Sequence, residues 1–157
     1  VSKLTAWRIT SEKYAETAFS GEGAKEHGGR VNSPGTPVVY TSESISLATL
    51  ELLAKVGRRQ RLSDRIVFPV AFDTSQVISY EERNLPESWD ARPYGPASQQ
   101  VGDEWVQSEA SLVLRVSSVV VPAEDNYLIN PGHSEFGGLE IGGPRPLKPD
   151  PRLPADG

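Results

Sequence analysis

Apolar and polar residues alternate first over Leu4–Ile9, where Leu4, Ala6 and Arg8 share one face and Thr5, Trp7 and Ile9 the other. That period of two predicts a short opening strand, with Arg8 in need of a partner among apolar neighbours. Ser11–Ala18 predicts a helical turn or two, and Pro37–Tyr40 a buried strand. Ser42 or Ser44 then caps a helix running to about Val56, stopped by Gly57 and followed by Arg58, Arg59 and Arg61, where cations suit a helix end. Along this helix Ile45, Ala48, Leu52 and Val56 form one apolar stripe; Leu47, Leu50 and Ala54 form a second, and Glu51 falls within it. A carboxylate so placed either faces a pocket or has a buried cationic partner, because burying it alone would cost several kcal/mol.

Further along, Arg65–Phe72 reads as a strand carrying Pro69, which predicts an edge strand or a bulge. Val77–Tyr80 is a further short strand. Residues 81–102 form a long connection rich in proline, glycine and polar residues, containing Trp89 and Tyr94, and loops of that length are commonly functional. Gly102–Trp105 opens a helix to about Ala110. Leu112–Val121 is a strong β signal interrupted by Ser117 and Ser118, and Asn126–Pro131 is another short strand with His133 just beyond it. From 142 to 157 the chain is a proline-rich tail, expected to lie extended over the body or be disordered. Strands with two or three helices and no alternating βαβ order predict an α+β fold in one domain spanning 1–157.

Composition narrows the function classes. The 157 residues suffice for one core, and 37% hydrophobic with 24% charged residues is a globular balance. A net charge of −5 argues against nonspecific nucleic-acid binding, which needs a basic face. With no cysteine there is no disulfide framework, thiolate nucleophile or cysteine zinc site. No apolar run is long enough for a transmembrane helix, and Val1–Thr5 lacks the apolar run of a signal peptide, so the expectation is a soluble, cytoplasmic protein without membrane contact.

The candidate chemistry concentrates between Gly28 and Gly57. Glycines at 21, 23, 28 and 29 do not make a dinucleotide fingerprint, since the third position required is Glu26. Arg30 beside Gly28-Gly29 is either a bidentate phosphate ligand or a surface loop arginine. Tyr40, at a strand end, is a core or rim aromatic or a ligand contact. Glu51 is either a functional carboxylate or one half of a buried ion pair with Arg8 or Arg30. His27 and His133 come with no metal-binding spacing, and no Gly-x-Ser-x-Gly elbow accompanies Ser118, so metal and serine-triad readings are set aside.

Taken together these residues resemble the RES-domain toxins of bacterial toxin–antitoxin pairs, a family named for an arginine, a glutamate and a serine. The landmarks are Trp7-Arg8, Phe19–Ala24, Gly28-Gly29-Arg30-Val31-Asn32, Val39–Ser42, Leu47-Ala48 with Glu51, Leu114–Ser118, Asn126–His133 and Asp150–Leu153, in order over residues 7–153. Two positions depart from the family pattern: Val31 stands where a tryptophan is usual, and Ser117 where a proline is usual before the serine. The resemblance implies an ADP-ribosyltransferase-like fold, with a central, mostly antiparallel split sheet and flanking helices, and NAD as substrate. The nicotinamide–ribose bond would be cleaved, with phosphate or water as acceptor, or the ADP-ribose passed to a protein. It further implies Glu51 stabilising an oxocarbenium-like transition state, and Arg30, with Arg8, holding the pyrophosphate or an attacking phosphate. Tyr40 would meet the nicotinamide riboside end, Ser118 would position a hydroxyl or phosphate, and Asn130 and His133 would lie nearby; no metal is required. The implied partner is an Xre-like, helix-turn-helix antitoxin that blocks the pocket and makes any DNA contact itself. A noncatalytic protein-binding module is the competing reading, with the same charges serving as a structural network.

Overall fold

The computed structural model describes residues 2–56, 62–81 and 84–153. In chain order these form β1 (Lys3–Ser11), a 3-10 turn (Glu12–Thr17), α1 (Glu22–His27), β2 (Val39–Ser42), α2 (Ile45–Val56), β3 (Arg65–Asp73) and β4 (Val77–Ser79). Then follow α3 (Pro96–Ser108), β5 (Val113–Ser117), β6 (Asp125–Ile129), β7 (Glu140–Ile141) and β8 (Arg145–Pro146). The predicted helix stop at Gly57 with Arg58, Arg59 and Arg61, and the last proline, Pro154, lie outside the described residues.

The eight strands build one sheet in the order β4-β5-β6-β2-β1-β3-β7, with β8 also on β3. All pairs are antiparallel except β4 with β5. The sheet is nearly two sheets. β2 follows β6 over four register pairs and β1 follows β3 over nine, whereas β1 and β2 meet at one pair, Trp7 with Ser42. This is the split the family resemblance implied, and the α+β class stands.

Arg8 ties this weak seam together. Its Nε donates to the Ala18 carbonyl and its Nη1 to the Tyr40 carbonyl, 3.1 Å away, so a β1 guanidinium reaches β2 across the join. Burial lowers its pKa to about 10. The charge that looked misplaced among Leu4 and Ala6 is satisfied by backbone carbonyls.

Each face of the sheet carries its own core. Ala6, Val39, Phe68, Val70, Phe72, Val113, Tyr127 and Ile129 pack on one side with Ala18 and Phe19. Leu114, Val116 and Leu128 face the other, covered by Val31, Trp89, Trp105 and Val119, with Tyr40 packed alongside. The alternation of Tyr127, Leu128 and Ile129 between these clusters is the strand period of two in packed form. Among the described residues no helix is long and apolar enough to cross a membrane.

Several local expectations shift. Pro69 causes no bulge: β3 stays in register with β1 throughout, and the Pro69 carbonyl accepts from Gly142 N at 2.9 Å. In an antiparallel strand a residue's N–H and C=O point the same way, so the missing donor faces the chain between β7 and β8 and costs the β1 ladder nothing. The part of the tail around Arg145–Leu147 does lie extended, as β8 and a Leu147 N–H bond to the Arg65 carbonyl at 2.9 Å show. The apolar run from Leu112 is not one strand through Val121, because β5 ends at Ser117 and Ser118 opens a turn.

The helix expected to open at Gly102 begins six residues earlier, at Pro96. Its buried face is Ser98, Gly102 and Trp105, which share one side of a helix but give almost no hydrophobic signal. A Cβ on Gly102 would stand 1.7 Å from the Val31 carbonyl oxygen, so only glycine lets α3 press onto the loop bearing Arg30. Gly102→Ala is therefore expected to lower stability by about 3 kcal/mol and the melting temperature by roughly 10 °C, measured by thermal denaturation.

Candidate active site

The site is built where α2 crosses the sheet. Ser44 caps the helix, its Oγ accepting the Leu47 N–H at 3.0 Å. Leu47 and Ala48 are buried, and Glu51, three and four residues later, is carried on the same helical side and turned toward the sheet. Its surroundings differ from the expected apolar envelope. Leu50 is 44% exposed and Ala54 is exposed, so only Leu47 of that stripe is core.

Polar partners meet the carboxylate instead. Glu51 Oε1 accepts from Ser118 Oγ at 2.6 Å and from Asn126 Nδ2 at 2.8 Å. Ser118, 1% exposed, takes the Val120 and Val121 N–H groups on its hydroxyl oxygen at 3.1 and 3.0 Å, which leaves its proton for Glu51. Asn126 accepts from Ser42 Oγ at 2.7 Å, and that bond fixes which end of its amide faces Glu51. Among the described residues Oε2 accepts no hydrogen bond, and the ion pair with Arg8 or Arg30 considered from the sequence is not formed. Glu51 is half-buried, with one oxygen saturated by neutral donors and the other open.

Arg30 stands close enough to Glu51 for the carboxylate to act on its pKa, which is lowered first by burial and next by Arg92. Its Nη1 donates to the carbonyls of Trp89, 3.0 Å, and Ala91, 2.8 Å, and its guanidinium lies 5.8 Å from the centre of the Tyr94 ring. The long loop therefore folds over Arg30. From the other side α3 grips the backbone: Ser98 Oγ donates to the Arg30 carbonyl at 2.6 Å and Gln99 Nε2 to the Gly29 and Asn32 carbonyls, each 3.2 Å. Gly28, at φ +73, makes the turn from α1 into this segment.

Tyr40 shapes the Arg30 loop through its hydroxyl. It donates to Asn32 Oδ1 at 2.5 Å and accepts the Val31 N–H at 3.2 Å, and burial pushes its ionisation well above the usual phenol range. Asn32, 0% exposed, completes the knot by donating to the carbonyls of Ala24, Ser33 and Thr36. Val31, the departure from the family tryptophan, is buried in the core under α3.

The structure thus brings Glu51 and Ser118 into contact and sets Tyr40, on β2, against the loop that bears Arg30. Ser117, the rival serine, turns its hydroxyl to the Pro122 carbonyl at 2.7 Å. Arg8 shares the side of β1 that bears Ala6, in the cluster opposite the one against which Tyr40 packs. Asn130 follows Asn126 by four residues, about 13 Å along the strand direction. Its amide binds the Val106 carbonyl and the Gly132 N–H, and His133 bonds the Glu109 carbonyl and the Glu135 N–H, both at the carboxyl end of α3. Among the described residues no three His, Cys, Asp or Glu side chains gather as metal ligands. Sequence reasoning gave no role to Asn126 and offered Ser42 only as a helix cap, a place that Ser44 takes. Each is one polar residue in a short strand, and only the β2–β6 register, Ser42 opposite Asn126, exposes the pairing.

Comparison with known proteins agrees with this architecture. The chain is 37% identical over 133 residues to the Toxin Res of Photorhabdus laumondii, covering 85% of each chain. It is 36% identical over 152 residues to the Prs ADP-ribosylating toxin of a Sphingobium strain, covering 94% of each. Among solved structures, a chain of the M. tuberculosis MbcT–MbcA toxin–antitoxin complex superposes with a TM-score of 0.75 at 18% identity, over 93% of this chain and 85% of that one, which is a likeness of fold. The RES domain profile matches residues 5–155, and with these relatives it establishes that the chain belongs to the RES-domain family.

Proposed function

We propose that this chain is the toxin of a toxin–antitoxin pair and that it breaks the nicotinamide–ribose bond of NAD, with Glu51 as the working carboxylate. The observation that carries the reading is the asymmetry of Glu51: Oε1 is held by Ser118 and Asn126, while Oε2 accepts no hydrogen bond among the described residues and Arg30 lies near enough to feel the carboxylate's charge. Nicotinamide leaves NAD as a neutral molecule from a cationic ring nitrogen, so the departing group needs no general acid. The demand falls on the ribose carbon, where positive charge develops, and an oriented carboxylate oxygen meets it. Two neutral donors on Oε1 keep the side chain in one rotamer without cancelling its charge, as a direct ion pair would.

In this reading Arg30 binds a phosphate of the substrate, and Tyr40 holds the Arg30 loop while offering its ring to the nicotinamide riboside end. Ser118 acts on Glu51 as a positioning residue. Phosphate or water then attacks the ribose carbon from the open face. A protein acceptor is the second reading, favoured by the 36% identity to a relative named as an ADP-ribosylating toxin. NAD consumption places the work in the cytoplasm and calls for restraint by an antitoxin of the Xre-like kind, which would cover the Glu51 pocket. The acidic net charge of −5 leaves DNA contact to that partner.

Purified protein incubated with NAD is expected to release nicotinamide, and Glu51→Gln to lower that rate by about a thousandfold. Asn126→Ala should reduce kcat by roughly tenfold or more while KM for NAD changes little, since the residue orients Glu51 without touching substrate. An undiminished rate in Glu51→Gln would remove the carboxylate from the mechanism. The acceptor is read separately by mass spectrometry: added inorganic phosphate should yield ADP-ribose esterified at the anomeric carbon, and its absence yield free ADP-ribose. Label from NAD fixed on a polypeptide in lysate would instead favour protein transfer. Expression without an antitoxin should arrest growth and deplete cellular NAD; a harmless chain that leaves NAD intact would favour a binding module.

A further inference from the structure

Arg30 is not the only guanidinium tied to the surroundings of Glu51. Arg92, on the long loop, donates Nη2 to the Val119 carbonyl at 3.0 Å. Val119 belongs to the turn whose next two N–H groups, Val120 and Val121, bind Ser118 Oγ, and Ser118 in turn holds Glu51. One turn thus anchors both the donor to Glu51 and the arm of Arg92. On the other flank Arg30 is caught by the Trp89 and Ala91 carbonyls, the latter in the residue immediately before Arg92. Tyr94 lies on the Arg30 guanidinium and is 43% exposed.

The electrostatics of this pair are unusual for a resting surface. Both cations are tethered by uncharged carbonyls, and neither forms an ion pair among the described residues. Arg92 is near enough to depress the pKa of Arg30, with Glu51 and Asp90 the nearby acids acting the other way. Each guanidinium spends one terminal nitrogen on its tether and keeps further N–H groups for a ligand. Two adjacent, pre-anchored forks repel one another until an anion with two charged centres joins them. Arg8 is unsuited to that task, being occupied with the β1–β2 seam.

We infer that Arg92 is the second arm of a diphosphate subsite, gripping with Arg30 the two linked phosphates of a dinucleotide whose ribose lies at Glu51. The inference rests on the NAD reading above and names the residue that would supply the affinity for its diphosphate. Arg92 is exposed, so its replacement leaves the core intact.

The test uses full-length Glu51→Gln protein, which holds substrate without turnover, with and without Arg92→Ala. Calorimetric titrations with NAD and with nicotinamide riboside, which carries no phosphate, separate the subsite from the rest of the pocket. Arg92→Ala is expected to weaken NAD binding about tenfold and leave nicotinamide riboside within about twofold, and Arg92→Lys to recover part of the loss. Equal weakening of both ligands would mean that Arg92 only anchors the loop, and unchanged NAD affinity would mean that it does not meet the diphosphate; either overturns the inference. A distinct failure, in which wild-type protein neither consumes NAD nor binds it, overturns the function on which the inference rests.

Discussion

A half-buried carboxylate with only one oxygen satisfied is the constraint around which this molecule is arranged. Glu51 could have been neutralised by Arg30, which lies near enough to feel its charge. Instead Ser118 and Asn126 hold Oε1 at 2.6 and 2.8 Å, through hydrogen bonds that orient the group and leave its charge in place. Hydrogen bonds to an ionised group contribute about 1.5–3 kcal/mol each, enough to offset part of the desolvation at a half-buried site. The supporting chain runs on through Ser42 to β2 and through the Val120 and Val121 amides to the turn after β5, so one side chain on α2 depends on three separate elements.

The arginines divide the remaining work. Arg8 is spent on structure, joining two sheet halves that otherwise share a single register pair. Arg30 is the residue the proposed function gives to the substrate's phosphate, and several elements hold it in place. Tyr40 and Asn32 knot its loop from below, Ser98 and Gln99 hold the loop backbone from α3, and the Trp89 and Ala91 carbonyls fix the guanidinium from above. Gly102 permits this arrangement, because any side chain there would separate α3 from the Val31 carbonyl. A loop rich in proline and polar residues sets Tyr94 on the Arg30 guanidinium and brings Arg92 near it.

The fold class and most elements were legible because their signals are local. Alternation marked β1, the Ser44 cap marked α2, and the β-branched runs marked β3 and β5. What escaped was set by contacts distant in sequence. α3 hid its first half because its buried face is Ser98 and Gly102, whose burial serves close approach to another loop. The apolar setting expected for Glu51 came from reading Leu50 and Ala54 as core, when α2 exposes both and buries Leu47 and Ala48. Arg30, Tyr40, Glu51 and Ser118 were legible as a set through family resemblance. The partnership of Asn126 and Ser42 with Glu51 was not, since nothing in Asn126-Tyr127-Leu128 states which strand will lie opposite.

In the proposed function the open oxygen of Glu51 faces the ribose of NAD, beside Arg30. A crystal structure of the Glu51→Gln protein soaked with NAD tests it directly. The anomeric carbon of the nicotinamide ribose should lie against the side chain of residue 51, with the diphosphate on the Arg30 guanidinium. NAD bound elsewhere, or with its ribose turned away from residue 51, would contradict it.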